Sequence, residues 1–124
     1  TGNSMKVLFV PHLLPVNRGI LATCYAKLKN GTTLSQLQEV YEEAYQNEYF
    51  IRLLPKGKEA DIHNVRYSNF CDISLHIDPR TSTFIAVSAL DNMVKGAAGQ
   101  AIQNMNLAFG LDETEGLTAW PPAF

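Results

Sequence analysis

The residues best suited to chemistry lie near the start of the chain. In PHLLPVNRGI, residues 11–20, His12 sits between Pro11 and Pro15, and Arg18 comes just before a glycine and a run of strand-forming residues. Proline fixes its own φ and restricts the residue before it, so the backbone around His12 is stiffer than that of an ordinary loop. An imidazole on a stiff backbone suits general acid or base work at neutral pH, although a loop histidine with no task has the same local chemistry. Arg18 can grip a carboxylate or phosphate through its planar fork, or it can pair with an acidic side chain of the fold.

A second anomaly is DNMVKGAAGQAIQNMN, residues 91–106. Gly96 and Gly99 fall inside a helical pattern, where each costs about 1 kcal/mol relative to alanine. Small residues at 96–99 and 101 let another backbone or a ligand come close. Asn92 with the first free N–H groups forms an electropositive helix start suited to an anionic or amide-bearing ligand. Tight packing on a neighbouring element accounts for the glycines equally well, and the two readings are compatible.

Other chemistries are not encoded. There is no Walker A loop, G-x-G-x-x-G, G-x-S-x-G elbow, CxxC or HExxH pairing. His12, His63 and His76 do not recur at ligand spacings, so no metal is expected. Cys24 and Cys71 both fall in apolar, strand-like runs rather than at electropositive helix starts, so both are expected to be packing residues and neither a nucleophile for His12.

These residues must be positioned by a small set of elements. Strands are expected over 6–10, 19–28, 49–54, 69–77 and 83–90, with DPRTS, residues 78–82, as a hairpin loop. NGT at 30–32 is a turn signal, and Thr33 with Gln36 forms a capping box. The stripe Leu34, Leu37, Val40, Tyr41, Ala44 and Tyr45 then marks an amphipathic helix. A second helix spans 93–109, with Val94, Ala97, Ala98, Ala101, Ile102, Met105 and Phe109 on one side and Gly110 as its stop. This order predicts an α+β fold, helices packed on a mostly antiparallel sheet. No linker divides residues 1–124, which read as a single domain, with Trp120 of the tail packed on something.

Composition narrows the function. A net charge of −2 and a pI near 5.8 argue against a nucleic-acid partner. Apolar runs are far shorter than the about 18–20 residues of a membrane span, so no membrane partner is expected. There is no secretory leader pattern, and two cysteines are too few for a disulfide scaffold, which points to a reduced, cytoplasmic setting. A first residue of threonine and a last segment of WPPAF read as the ends of a piece of something larger.

PHLLPVNRGI, SNFCDI at 68–73 and LDNMVKGAAGQAIQNMNLAFGLDETEGL together resemble the C-terminal catalytic and dimerisation part of the N-acetyl-gamma-glutamyl-phosphate reductase family, in the semialdehyde dehydrogenase superfamily. The resemblance covers essentially the whole chain. It implies a C-terminal domain like that of glyceraldehyde-3-phosphate dehydrogenase and an NADP-dependent reduction of an acyl phosphate to a semialdehyde in arginine biosynthesis. A cysteine thiolate is the nucleophile of that chemistry. The motif histidine, here His12, is implied as its base, and Arg18 as a residue that binds substrate or holds the site itself together. Asn92, Lys95 and Gly96 are implied on the cofactor side, with residues 92–124 a return helix and tail that dock on an N-terminal nucleotide-binding domain. That domain carries the cysteine and most of the NADP site in the family, and nothing in this chain corresponds to either. The expectation is therefore a homo-oligomer through the sheet, acting on a small-molecule substrate with its N-terminal partner and inactive alone. Sister enzymes acting on aspartyl or aminoadipyl phosphate, or a nonenzymatic subunit-interface module, are the other readings.

Overall fold

The computed structural model describes Ser4 and residues 6–118, so the expectation for Trp120 lies outside the described residues. Strand β1 is Ile20–Lys27, helix α1 Leu34–Tyr45, strand β2 Ile51–Leu53, strand β3 Cys71–Asp78 and strand β4 Thr83–Leu90. A π-helical turn, Val94–Ala98, leads into α2, Gly99–Ala108. The sheet order is β1-β4-β3-β2, antiparallel except where β2 runs parallel to β3. This is the expected α+β architecture with a mostly antiparallel sheet.

Local chemistry shapes the elements. Thr33 is the N-cap of α1, its side chain accepting from the Gln36 N–H at 3.3 Å while Gln36 Oε1 accepts from the Thr33 N–H at 2.9 Å; such a cap is worth about 1 kcal/mol. Gly19, just before β1, has φ +124, and a β-carbon there would lie 2.8 Å from Cβ of Ile62, so both conformation and space call for glycine. Arg52 of β2 holds buried Asp72 of β3 with two hydrogen bonds, 2.5 and 3.0 Å, which fixes the short parallel pair.

Side chains alternate across the sheet, and each face carries its own core. On one face Cys71, Ile73, Leu75 and Ala86 meet Leu34, Tyr41 and Tyr45 of α1. Around Ala89 on the opposite face gather Phe50, Val65, Phe70 and Leu117.

Four expectations need correction. Residues 6–10 form no strand: no described segment hydrogen-bonds alongside them, and Val7, Leu8, Phe9 and Val10 are exposed. A strand pattern without a partner has nothing to complete its ladder. Cys24 is exposed, not packed, because β1 is an outer strand while α1 lies against β2 and β3. In α1, Val40 and Ala44 face outward, and Leu34, Tyr41 and Tyr45 make the core contacts.

The fourth correction is the most consequential. The buried residues of α2 are Gly99, Gln103 and Asn106, whereas Ile102, Met105 and Phe109 of the apolar stripe are exposed. Period shows which residues share a helix face, but not which face this domain covers. Hydrogen bonds decide it: Asn106 Nδ2 donates to the carbonyls of Glu115 (3.0 Å) and Glu113 (3.4 Å), and Gln103 binds three partners described below.

The two helix glycines differ accordingly. A β-carbon at Gly99 would collide with Asn69 Oδ1 and lie 2.7 Å from Val94 Cγ1, whereas at Gly96 its nearest neighbour is Leu90 Cδ1 at 3.4 Å, an ordinary contact. Gly99→Ala is expected to destabilise by about 1–3 kcal/mol through overpacking. Gly96→Ala is expected to be neutral or stabilising by up to about 1 kcal/mol through helix propensity. Urea denaturation of both variants checks the contrast, and equal losses would contradict it.

Candidate functional site

The antiparallel register places Ile20 opposite Leu90. The residues just before β1 therefore lie beside those just after β4, which brings together two motifs far apart in the chain. The Gly19 N–H donates to Asn92 Oδ1 at 2.8 Å, and Arg18 Nε donates to Asp91 Oδ2 at 2.6 Å.

Asp91 has no exposed surface, and its carboxylate accepts from four donors. Oδ1 takes the N–H groups of Met93 (2.8 Å) and Val94 (2.9 Å), which caps the following helical turns. Oδ2 takes Arg18 Nε and the Tyr67 N–H, each at 2.6 Å. Burial alone pushes this carboxyl up. The Tyr67 N–H, the Arg18 guanidinium and the N–H groups of Val94 and Met93 outweigh burial, so its pKa ends below the ordinary 3.8. Tyr67 adopts φ 61, and its ring lies 4.4 Å from Cζ of Arg18. The guanidinium is thus held on its Nε edge by a charge and on its face by a ring, and Nη1 and Nη2 make no hydrogen bond to the described residues.

Lys95 sits beyond this knot. Its Nζ donates to Gln103 Oε1 at 2.7 Å and lies 5.6 Å from the Phe50 ring centre. Asn69 Nδ2 donates to the same oxygen at 3.1 Å, and Gln103 Nε2 donates to Glu113 Oε2 at 2.8 Å. Burial lowers the Lys95 pKa; Cys71, when ionised, and the charges of Glu113 and Glu48 oppose that shift. Burial raises the Cys71 pKa despite the opposing Lys95 charge, so the thiol is protonated at neutral pH and unsuited to attack. Gly96 is exposed, and its N–H donates to the Asp91 carbonyl at 2.9 Å.

Arg18 and Asn92 are thus neighbours in one knot, with Gly96 tied to it through the backbone and Lys95 turned toward Gln103. His12 stands apart. It is exposed, its Nδ1 lies 3.2 Å from the Val10 carbonyl, and it shares no hydrogen bond with the other four. Sequence reasoning did not single out Asp91, Tyr67, Gln103 or Asn69. Asp91 had a readable signal, an aspartate immediately before a helical pattern; Tyr67 had none, because nothing in its type announces a left-handed backbone. Among the described residues no group of three or more His, Cys, Asp and Glu side chains could hold a metal ion, and no helix is long and apolar enough to cross a membrane.

The Asp91 knot has a pH signature. Because its folded pKa is depressed, its stabilisation is fully present above the unfolded value near 4 and is lost as pH falls through the lower folded value. Denaturant unfolding of the wild type from pH 7 to pH 2 is expected to show this acid loss. Asp91→Asn is expected to start less stable at pH 7 and to lose less on acidification. An acid limb of unchanged size in the variant would contradict the assignment.

A family model described as the semialdehyde dehydrogenase dimerisation domain matches residues 1–92. Among curated proteins, the chain is 57% identical over 124 residues to an N-acetyl-gamma-glutamyl-phosphate reductase of Brachyspira hyodysenteriae, a match covering 99% of the chain and 35% of that protein. It is 52% identical over 120 residues to the reductase of the same name from Clostridium kluyveri and 50% identical over 120 residues to that from Geobacter metallireducens, each covering 97% of the chain and 35% of the relative. The chain spans about a third of the length of the curated relatives it matches.

Proposed function

The chain belongs to the semialdehyde dehydrogenase dimerisation-domain family, and from that premise we propose that it is the substrate-side and subunit-contact portion of an NADP-dependent reductase. The reaction proposed is conversion of N-acetyl-glutamyl phosphate to N-acetyl-glutamate semialdehyde in arginine biosynthesis, in the cytoplasm. The observation that carries the reading is the knot itself. It holds Arg18 and Asn92 side by side and leaves the Nη groups of one and the NH2 group of the other uncommitted within the described residues. Identity of 57% to a reductase of that name, across both motifs, supports the substrate assignment.

In this reading the nucleophilic cysteine comes from an N-terminal nucleotide-binding domain. Its thiolate attacks the acyl carbon of the substrate, forming a thioester as phosphate departs. His12 takes the thiol proton. With a proton on Nδ1, the ring donates to the Val10 carbonyl at 3.2 Å and turns the Nε2 lone pair outward as the base. Arg18 holds an anionic group of the substrate through its Nη edge. Bound NADPH supplies the hydride that reduces the thioester. The uncommitted Asn92 amide and the side-chain-free backbone of Gly96 fit a flat, amide-bearing ring, and Lys95 lines the cofactor side.

Two exposed apolar surfaces are assigned to partners. The outward face of α2, with Ile102, Met105 and Phe109, docks on the nucleotide-binding domain as part of a return segment over residues 92–124. Strand β1, whose Ile20, Leu21 and Tyr25 are exposed, belongs to the contact between copies of the chain.

In the full-length protein that carries this chain, His12→Ala is expected to lower kcat by about 10²- to 10⁴-fold. The isolated 124-residue chain is expected to show no turnover. Steady-state assay of semialdehyde oxidation with NADP and phosphate checks both. Wild-type kcat in the variant, or turnover by the isolated chain, would contradict the reading.

A further inference from the structure

We propose that Tyr67 is a positioning residue whose ring sets the plane of the Arg18 guanidinium, so that its Nη edge presents a ready-made fork to an oxyanion. This rests on the reading of Arg18 as a substrate-binding residue.

Tyr67 has φ 61, a backbone conformation that glycine adopts freely and an aromatic residue adopts at a cost. That conformation delivers its N–H to Asp91 Oδ2 at 2.6 Å, a task any residue with a backbone N–H would perform. The side chain needs a separate explanation. It is 53% exposed, so burial of the ring does little for the core. The ring lies against Arg18, whose Cζ is 4.4 Å from the ring centre, within the range of a cation–π interaction. Strain of this kind persists only where the surrounding structure over-determines it, and it clusters at functional sites.

The two restraints on Arg18 are complementary. Asp91 fixes the Nε edge, which sets the direction of the side chain. Tyr67 lies under the face, which removes rotation of the plane about that hydrogen bond. What remains is the end-on pair Nη1 and Nη2, a planar set of donors that matches two oxygens of a carboxylate or of a phosphoryl group. A lysine in place of Arg18 would offer neither the plane nor the fork.

The test uses the full-length protein in the oxidative direction, with the semialdehyde, inorganic phosphate and NADP as substrates. Tyr67→Gly is expected to leave Tm at or above the wild-type value, since strain is relieved, while raising one KM about three- to tenfold, with kcat within about twofold. A rise in the KM of phosphate identifies the phosphoryl group as the oxyanion, and a rise in the KM of the semialdehyde identifies its carboxylate. Tyr67→Phe keeps the ring and is expected to restore that KM. Tyr67→Asn, tolerant of the same backbone but ringless, provides the same KM comparison should glycine loosen the loop. If Arg18→Lys raises a KM that both ringless variants leave unchanged, Arg18 stands as a substrate-binding residue and the proposal for Tyr67 is overturned. If Arg18→Lys raises neither KM, the reading of Arg18 fails, and this proposal fails with it.

Discussion

A buried carboxylate must be fully satisfied or it becomes a liability, and in this fold that requirement falls on Asp91. Hydrogen bonds to a charged group contribute roughly 1.5–3 kcal/mol each, whereas an orphaned buried partner carries its full desolvation penalty. The four donors come from three places: Arg18 ahead of β1, Tyr67 in the segment before β3, and Met93 and Val94 at the helix start. One side chain therefore ties a loop, a strand end and a helix into one unit. The loss is asymmetric. Removing Arg18 leaves three backbone N–H groups on Asp91, but removing Asp91 orphans all of its donors at once.

That unit accounts for the way α2 is turned. With the helix start pinned to Asp91, and Gln103 joined to Asn69, Lys95 and Glu113, the polar side of the helix lies inward and the close approach at Gly99 follows. The apolar side is left facing out, as are Val7 to Val10 ahead of the histidine loop. Exposed apolar groups on this scale belong to interaction surfaces rather than to a free exterior. They sit on the two segments proposed to complete an active site with another domain, so the unusual orientation of the helix and the incomplete chemistry have a common explanation.

Much of this was legible in the sequence because it is local. The Thr33 and Gln36 capping box, the DPRTS hairpin and the β1 and β4 strands each announce themselves within a few residues. The two motifs were visible as anomalies too. Their union was not, because Arg18 and Asp91 are 73 residues apart and pair only through the register of β1 with β4. An arginine awaiting a ligand and an arginine bound to an aspartate read alike in sequence; here the guanidinium does the second with Nε, and its Nη groups are the ones proposed for the first. Cys24 and the residue 6–10 strand were misjudged for a related reason. Apolar alternation shows that a surface wants cover, not that this chain supplies it.

Asp91 couples Arg18 and Gly19 to the helix start as one cooperative unit. Amide hydrogen exchange by NMR tests this directly in the chain carrying Asp91→Ala. The amides of Gly19, Tyr67, Met93, Val94 and Gly96 are expected to lose protection together, while the β3 and β4 ladder keeps most of its own. Loss confined to Met93 and Val94, with Gly19 and Tyr67 as protected as in the wild type, would mean that Asp91 is only a helix cap and would contradict the account.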